Sequence, residues 1–157
     1  MSRLIHYSKT PLKDVYSRPH IHNYVGGYKT PGLWVSAEGE DDWPSFCYGE
    51  GFRTETLAFA TEIILSEKHN VLWLRNADHI DRFSENFWHD SKLNWVEIRE
   101  RWRGLIIAPY CWERRLTDHT SWYYGWDCAS GVIWDADAVH ELRSLATSLP
   151  QYYLATV

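Results

Sequence analysis

The sequence lacks long apolar runs and has few cysteines. No apolar stretch approaches the roughly 20 residues of a membrane-spanning helix. The first residues also lack the basic segment and the apolar segment of a secretory signal, so we expect no export. Three cysteines, an odd number, suit reduced thiols better than a set of disulfides. Together these absences predict a cytoplasmic protein without a membrane partner.

Short signatures of catalytic and metal sites are missing as well. The chain has no Cys-x-x-Cys, His-Glu-x-x-His, Gly-x-Ser-x-Gly or Walker loop, which argues against common zinc, hydrolase and phosphate-loop sites. His20 and His22 form the one tight histidine pair, but no third ligand is near, so we predict no metal site. A cysteine nucleophile, Cys111 or Cys128 with His119, has no local signature to support it.

The charged residues argue against some classes of binding partner but do not identify one. A net charge of −5 opposes non-specific binding to DNA or acidic membranes. One arginine-rich segment is either a basic face for a phosphate-rich partner or a solvated helix edge. It contains Arg99, Arg101, Arg103, Arg114 and Arg115. Two carboxylates for glycoside chemistry are a further option, although no pair stands out. The candidates are Asp41, Asp42, Glu50, Asp127 and Asp135.

The order of elements predicts one α+β domain over residues 1–157, because strands and helices do not alternate regularly. Apolar runs and alternation predict strands at 3–7, 32–37, 52–64, 71–74, 105–108, 122–126 and 131–134. Helical spacing predicts helices at 77–88 and 93–102, and a short helix through Phe46 and Cys47 capped by Asp41 or Asp42. A final helix, capped by Asp135 or Asp137, would turn Val139, Leu142 and Leu145 inward and end at Pro150. Residues 11–31 read as a long loop.

Three of the predicted strands place polar or aromatic groups at their ends. They are Leu4-Ile5-His6-Tyr7-Ser8, Gly32-Leu33-Trp34-Val35-Ser36 and Ala129-Ser130-Gly131-Val132-Ile133-Trp134-Asp135. A histidine, an aromatic ring and a polar residue from three separate strands are typical of a nucleotide-binding cleft. The chain has ten tryptophans, so one or two are expected to line a pocket for a flat ligand.

These segments resemble the ADP-ribosyltransferases, in particular the diphtheria-toxin-like and poly(ADP-ribose) polymerase branch. His6-Tyr7-Ser8 resembles that branch's His-Gly-Ser or His-Gly-Thr. The second strand, followed by Trp43-Pro44-Ser45-Phe46-Cys47, is similar to its Gly-Ile-Tyr-Phe-Ala segment and the short helix after it. The third is similar to its Glu-Tyr-Ile-Val-Tyr-Asp strand. The resemblance implies a split, mostly antiparallel sheet with flanking helices and a cleft between its halves.

The resemblance also implies roles for individual residues toward NAD, which would be a substrate. His6 would bind the adenine-side ribose, the backbone of Tyr7 the nicotinamide carboxamide, and Ser8 the adenosine end. Trp34 and Phe46 would sandwich the nicotinamide ring, beside Ser36 on the same strand.

Two positions depart from the family pattern. Trp34 replaces a tyrosine, and an indole still stacks. Ser130 replaces the catalytic glutamate, whose carboxylate binds the ribose 2′-hydroxyl and steadies the developing cation. The loss of such an electrostatic contribution typically costs on the order of 10²–10³ in rate. Asp127 and Glu50 are the candidates for supplying the charge.

The resemblance therefore implies a NAD-dependent mono-ADP-ribosyltransferase that modifies a protein or nucleic-acid acceptor and releases nicotinamide. The alternative is a catalytically inactive module of the same fold that binds a nucleotide, a nucleic acid or a protein. The serine at position 130 favours that alternative.

Overall fold

Strands and helices follow one another irregularly in the computed structural model, which describes residues 2–17 and 29–146. The strands are β1 (Leu4–Ser8), β2 (Leu33–Ala37), β3 (Phe59–Leu65), β4 (Val71–Leu74), β5 (Trp88–His89), β6 (Lys92–Leu93), β7 (Gly104–Ile107), β8 (Ser130–Ile133) and β9 (Val139–Leu145). The α-helices are α1 (Trp43–Glu50), α2 (Ala77–Phe87) and α3 (Trp95–Arg101). Short 3-10 helices cover Thr54–Leu57, Trp112–Arg114, Asp118–Gly125 and Ala136–Ala138. None of the helices in the described part of the chain is long and apolar enough to cross a membrane.

Seven strands form one sheet in the order β4-β7-β8-β2-β1-β3-β9, and β5 pairs with β6 as a separate ribbon. Among the described strands of the larger sheet, only β4 and β7 run parallel, and the other neighbouring strands are antiparallel. The predicted α+β class with a mostly antiparallel sheet is therefore confirmed.

β1 and β2 have the shortest paired stretch of any neighbouring strands in this sheet. Their strand register contains two pairs, Leu4 with Ala37 and Ile5 with Ser36. Beyond Ile5, β1 continues alongside β3, whereas β2 continues alongside β8. β1 and β2 are thus paired at one end and unpaired at the other.

Helix ends follow the capping residues of the sequence. The Asp42 side chain accepts a hydrogen bond from the Ser45 amide at 3.0 Å and begins α1, as predicted. Asn76 does the same for α2 through the amide of His79. Gly51 ends α1 in the left-handed region, with φ of 61°, where glycine has no steric penalty.

The apolar spacing of α2 buries one face of that helix. Ile80, Phe83 and Phe87 lie three and four residues apart and are almost fully buried. Their rings and side chains join one continuous cluster of buried residues with the strands of the sheet. This cluster holds the strands that carry the candidate site in place.

Residues 122–126 are not a strand, contrary to the prediction: residues 122–125 belong to the 3-10 helix Asp118–Gly125, and Trp126 follows its end. Trp122, Tyr123 and Trp126 are all buried, and this spacing of one and four residues is helical rather than alternating. The Trp122 Nε1–H donates to the Ser84 hydroxyl at 2.8 Å, which satisfies the indole within the core.

The predicted final helix is also wrong. Asp135 caps only the 3-10 helix Ala136–Ala138, and Val139–Leu145 forms the edge strand β9 against β3. A register shift opposite Leu65 leaves His140 as an extra residue. Because of this bulge, Val139 and Leu142 lie on the same face of the sheet although they are three residues apart. That spacing is also typical of one face of a helix, which explains the wrong prediction.

The predicted strand over 52–64 is only half right. Its first half is the 3-10 helix Thr54–Leu57, and β3 begins at Phe59. Arg53 has a left-handed backbone, with φ of 50°, which is incompatible with an extended strand. The predicted 11–31 loop is described only at 11–17 and 29–31, where it has no helix or strand, and Pro150 lies outside the described residues.

Candidate functional site

A cavity opens where β1 and β2 separate. Past the pair of Ile5 and Ser36, the backbone of β2 no longer pairs with β1, and the carbonyl oxygen of Trp34 faces a side chain instead. The Nδ1 of His6 lies 2.6 Å from that oxygen. Because a carbonyl only accepts, Nδ1 carries the proton, and in the neutral ring Nε2 is left as an acceptor.

The cavity has a volume of about 390 Å³, within the range of small-molecule sites. Six of the nine residues predicted for the site line it. They are His6, Tyr7, Trp34, Ser36, Asp127 and Ser130. The remaining lining residues are Ile5, Lys29, Val35, Trp43, Arg53, Thr56, Trp126 and Cys128.

Three predicted residues do not line the cavity. The Ser8 hydroxyl donates to the carbonyl of Thr10 at 2.6 Å, beyond the open end of β1. Glu50 is the exposed last residue of α1. Phe46 lies behind Trp43, with the two rings stacked 5.6 Å apart at 21°. Trp43 therefore takes the place that the prediction gave to Phe46, one helical turn away.

Two indoles supply the flat walls. Trp34 is half-buried and meets Trp126 edge to face, with ring centres 5.2 Å apart. Trp43 is held by a backbone hydrogen bond, in which its amide donates to the Ser36 hydroxyl at 2.9 Å. Phe46 packs on the ring of Trp43, so the rotamer of Trp43 is restricted. Rings fixed in this way suit a planar ligand.

Asp127 is the one carboxylate among the described residues that line the cavity. Arg115 lies 3.6 Å from it, and the same guanidinium donates to the Tyr110 hydroxyl at 2.7 Å. Tyr110 in turn donates to the carbonyl of Trp126 at 2.6 Å. These successive contacts hold the Asp127 carboxylate beside the cavity wall. The Ser130 hydroxyl donates to the carbonyl of Cys128 at 3.0 Å, so its oxygen is left to accept.

Burial keeps two of the lining groups, Tyr7 and Cys128, protonated. Burial raises the pKa of the Tyr7 hydroxyl to about 12, and the carboxylates of Asp42 and Glu38 add to the rise. Burial likewise raises the pKa of the Cys128 thiol to about 12. Both groups are therefore neutral at physiological pH and act through hydrogen bonds and packing.

The structure disfavours the cysteine nucleophile. Burial raises the pKa of the Cys111 thiol, as it does for Cys128, so neither has the thiolate character of a reactive cysteine. His119 bonds to Asp81 at 3.0 Å and not to a thiol.

The carboxylate pair proposed for glycoside chemistry does not form. Asp42 caps α1, and Asp41 accepts from the Trp112 indole at 3.0 Å. Asp135 pairs with Arg103, and of the five candidates only Asp127 reaches the cavity. In the described ranges no group of three or more His, Cys, Asp or Glu side chains is arranged to hold a metal ion; His20 and His22 lie outside them.

The arginine-rich segment does not form a free basic face. Arg101 pairs with Glu97, Arg103 with Asp135, Arg114 with Asp81 and Arg115 with Asp127. The guanidinium of Arg99 donates to the Thr30 hydroxyl and to the Pro31 carbonyl, each at 3.0 Å. Each of these arginines has partners within the protein, so they do not support a phosphate-rich partner at this segment.

Several lining residues are not predicted from the sequence. The resemblance indicates Phe46 and not Trp43, and the rotation of a short helix cannot be read from its eight residues. Trp126 falls in the segment that was wrongly predicted as a strand. Lys29 and Arg53 reach the cavity from loops, and no sequence periodicity marks such positions.

Comparison with known proteins gives no match for this chain: no family model, no curated protein and no solved structure matches it. A function for the protein must therefore be inferred from the chemistry of the cavity residues.

Proposed function

We propose that the protein is a NAD-dependent mono-ADP-ribosyltransferase, which moves one ADP-ribose unit to a macromolecular acceptor and releases nicotinamide. One observation carries this proposal. The three strands that resemble the ADP-ribosyltransferases contribute His6, Trp34 and Ser130 to a single cavity, at the point where β1 and β2 separate. The split sheet supports an ADP-ribosyltransferase-like fold.

The lining groups suit the parts of NAD. Nε2 of His6 accepts from a ribose hydroxyl, because Nδ1 is committed to the Trp34 carbonyl. The indoles of Trp34 and Trp43 take the nicotinamide ring, a cationic ring that aromatic faces attract. Beyond Ile5 the edge of β1 has no β2 partner, which supports binding of the carboxamide by the backbone of Tyr7.

The reaction begins with heterolysis of the bond between the ribose C1′ and the nicotinamide nitrogen. The electron pair leaves with neutral nicotinamide, and an oxocarbenium-like cation develops on the ribose. An oxygen or nitrogen nucleophile of the acceptor then forms a bond to C1′. Its proton passes to the Asp127 carboxylate. Much of the rate enhancement comes from holding ring and ribose in a reactive geometry.

Asp127 replaces the missing glutamate in this scheme. Ser130 can accept from a ribose hydroxyl but supplies no negative charge. Asp127 supplies the charge, and Arg115 with Tyr110 fixes its position. A charge fixed before the reaction stabilises a developing cation without reorganisation.

A second candidate function is a non-catalytic module that binds a nucleotide, a nucleic acid or a protein partner. The neutral Ser130, whose hydroxyl donates to the Cys128 carbonyl, is the observation that favours it.

Transfer of label from NAD labelled in its ADP-ribose part to a cell lysate tests the proposal. The informative variant is His6→Asn, because the asparagine amide still donates to the Trp34 carbonyl while the Nε2 acceptor is removed. His140→Ala, an exposed residue of the β9 bulge, is the matched control.

We expect label transfer by the wild type and by His140→Ala, and a loss of about tenfold or more in His6→Asn. If the wild type neither transfers label nor turns over NAD, the transferase function is contradicted and the non-catalytic binding module is the function that stands. Full activity of His6→Asn would contradict the proposed hydrogen bond between Nε2 of His6 and the ribose.

A further inference from the structure

The open side of the cavity carries two cations that have no role in the proposed reaction. Lys29 precedes β2 and Arg53 follows α1, and both side chains are exposed while lining the cavity.

Arg53 is held at the cavity by its backbone. Its φ of 50° is left-handed, which is uncommon for a residue with a side chain. The carbonyl of Arg53 accepts from both the amide and the hydroxyl of Thr56, at 2.9 and 2.7 Å, and these bonds fix the turn. Among the described residues, no carboxylate pairs with its guanidinium, which lies 5.7 Å from the centre of the Phe52 ring.

The balance of charge in the cavity favours an anion. Asp127 is the one carboxylate among the described lining residues, whereas Lys29 and Arg53 are two cations. The described lining therefore carries a formal excess of positive charge in a protein whose net charge is −5. Such an excess in a concave site concentrates anionic ligands.

Lys29 links this charge to the aromatic wall. Its ammonium lies 5.5 Å from the centre of the Trp34 ring. A planar ligand on that face requires the ammonium to move, and the flexible stem of lysine allows it to reach an adjacent phosphate. A ring and a phosphate joined by a ribose match this arrangement.

We infer that Arg53 and Lys29 form a subsite for the diphosphate of a nucleotide. This inference rests on the proposed function in that the diphosphate would be that of NAD, but it concerns binding and not turnover. Arginine binds phosphate oxygens through paired N–H donors, so Arg53 is the stronger of the two contacts.

Calorimetric titration with ADP and with adenosine tests the subsite, since the two ligands differ only in the diphosphate. Wild type is compared with Arg53→Gln and Lys29→Gln. Arg82→Gln and Lys92→Gln, both exposed and outside the cavity lining, are the matched controls. Thermal unfolding of each variant checks that it is folded.

We expect ADP to bind the wild type at least tenfold more tightly than adenosine, with an affinity that falls as salt rises. Arg53→Gln should weaken ADP binding about tenfold and leave adenosine binding within twofold, whereas the two controls should change neither. Equal affinities for ADP and adenosine, equal losses for both ligands in Arg53→Gln, or no binding of either ligand would overturn the subsite.

The subsite and the proposed reaction can fail separately. A protein that binds ADP as expected but never cleaves NAD contradicts the transferase and retains the subsite. A protein that cleaves NAD but binds ADP no better than adenosine contradicts the subsite alone.

Discussion

Substitution of Gly131 by alanine tests the sheet on which the site is built. Gly131 lies in β8 between Val35 of β2 and Ile106 of β7. A β-carbon at this position would lie 2.2 Å from Cδ1 of Ile106, 2.6 Å from the carbonyl oxygen of Leu105 and 2.9 Å from Cα of Ile106. Two of these three atoms belong to the backbone of β7, so no rotamer change relieves the overlap.

The magnitude follows from the cost of overpacking. An extra methyl group in a packed core costs about 1–3 kcal/mol, and a clash with backbone places Gly131→Ala near 3 kcal/mol. At about 2–4 °C per kcal/mol for a chain of this size, the unfolding midpoint should fall by roughly 6–12 °C.

The matched control is Gly49→Ala in α1. A β-carbon there meets no atom within 4 Å. Alanine is favoured over glycine inside a helix by about 1 kcal/mol, so Gly49→Ala should raise the midpoint by about 2–4 °C. Differential scanning calorimetry of both variants gives the comparison. A Gly131→Ala protein as stable as wild type would refute the packing of β7 on β8, and with it the position of Ser130.

Two further predictions concern the aromatic wall and an ion pair outside the site. Trp34→Ala should remove a large part of the fluorescence quench caused by NAD and weaken NAD binding about tenfold, because base–aromatic stacking contributes about 1–3 kcal/mol; the exposed Trp112→Phe is the control, and an unchanged quench in Trp34→Ala would contradict the wall. The guanidinium of Arg114 and the ring of His119 hold the pKa of Asp81 below its ordinary value of 3.8, so the stabilisation from Asp81 is complete above that pH and is lost as the pH falls through the lower, folded-state pKa. Urea unfolding should show Asp81→Asn less stable than wild type by about 1 kcal/mol at pH 7 and by less at pH 3, and an equal difference at both values would contradict the ion pair.

Short buried strands were the part of the fold that could best be predicted from the sequence. The segments Leu4–Ser8 and Leu33–Ala37 agree within one residue with the strands predicted at 3–7 and 32–37, because each has buried aliphatic residues in a short run that turn residues follow. The segment after Asp135 was misread because a bulge at His140 shifts the apolar residues out of strand period. The segment forms a strand because it pairs with β3, and a local sequence pattern does not predict that tertiary pairing.

The same distinction holds for the candidate site. His6, Trp34 and Ser130 could be predicted because each lies in a short strand that resembles a segment of the ADP-ribosyltransferases. Arg53 could not be predicted, because its side chain reaches the cavity from a left-handed backbone conformation that no sequence pattern indicates. The exchange of Phe46 for Trp43 reflects the same limit, since only the packed position of α1 decides which ring faces the cavity.

The release of nicotinamide from NAD, followed by mass spectrometry in the presence of a lysate that supplies acceptors, is the sharpest test of the proposed transferase. Wild type is compared with Asp127→Asn, which keeps the size of the side chain and removes the charge beside the cavity. We expect nicotinamide release by the wild type and a loss of about 10²–10³ in rate for Asp127→Asn. Release at the wild-type rate by Asp127→Asn, or none by the wild type, would contradict the proposed role of this carboxylate in an ADP-ribosyl transfer.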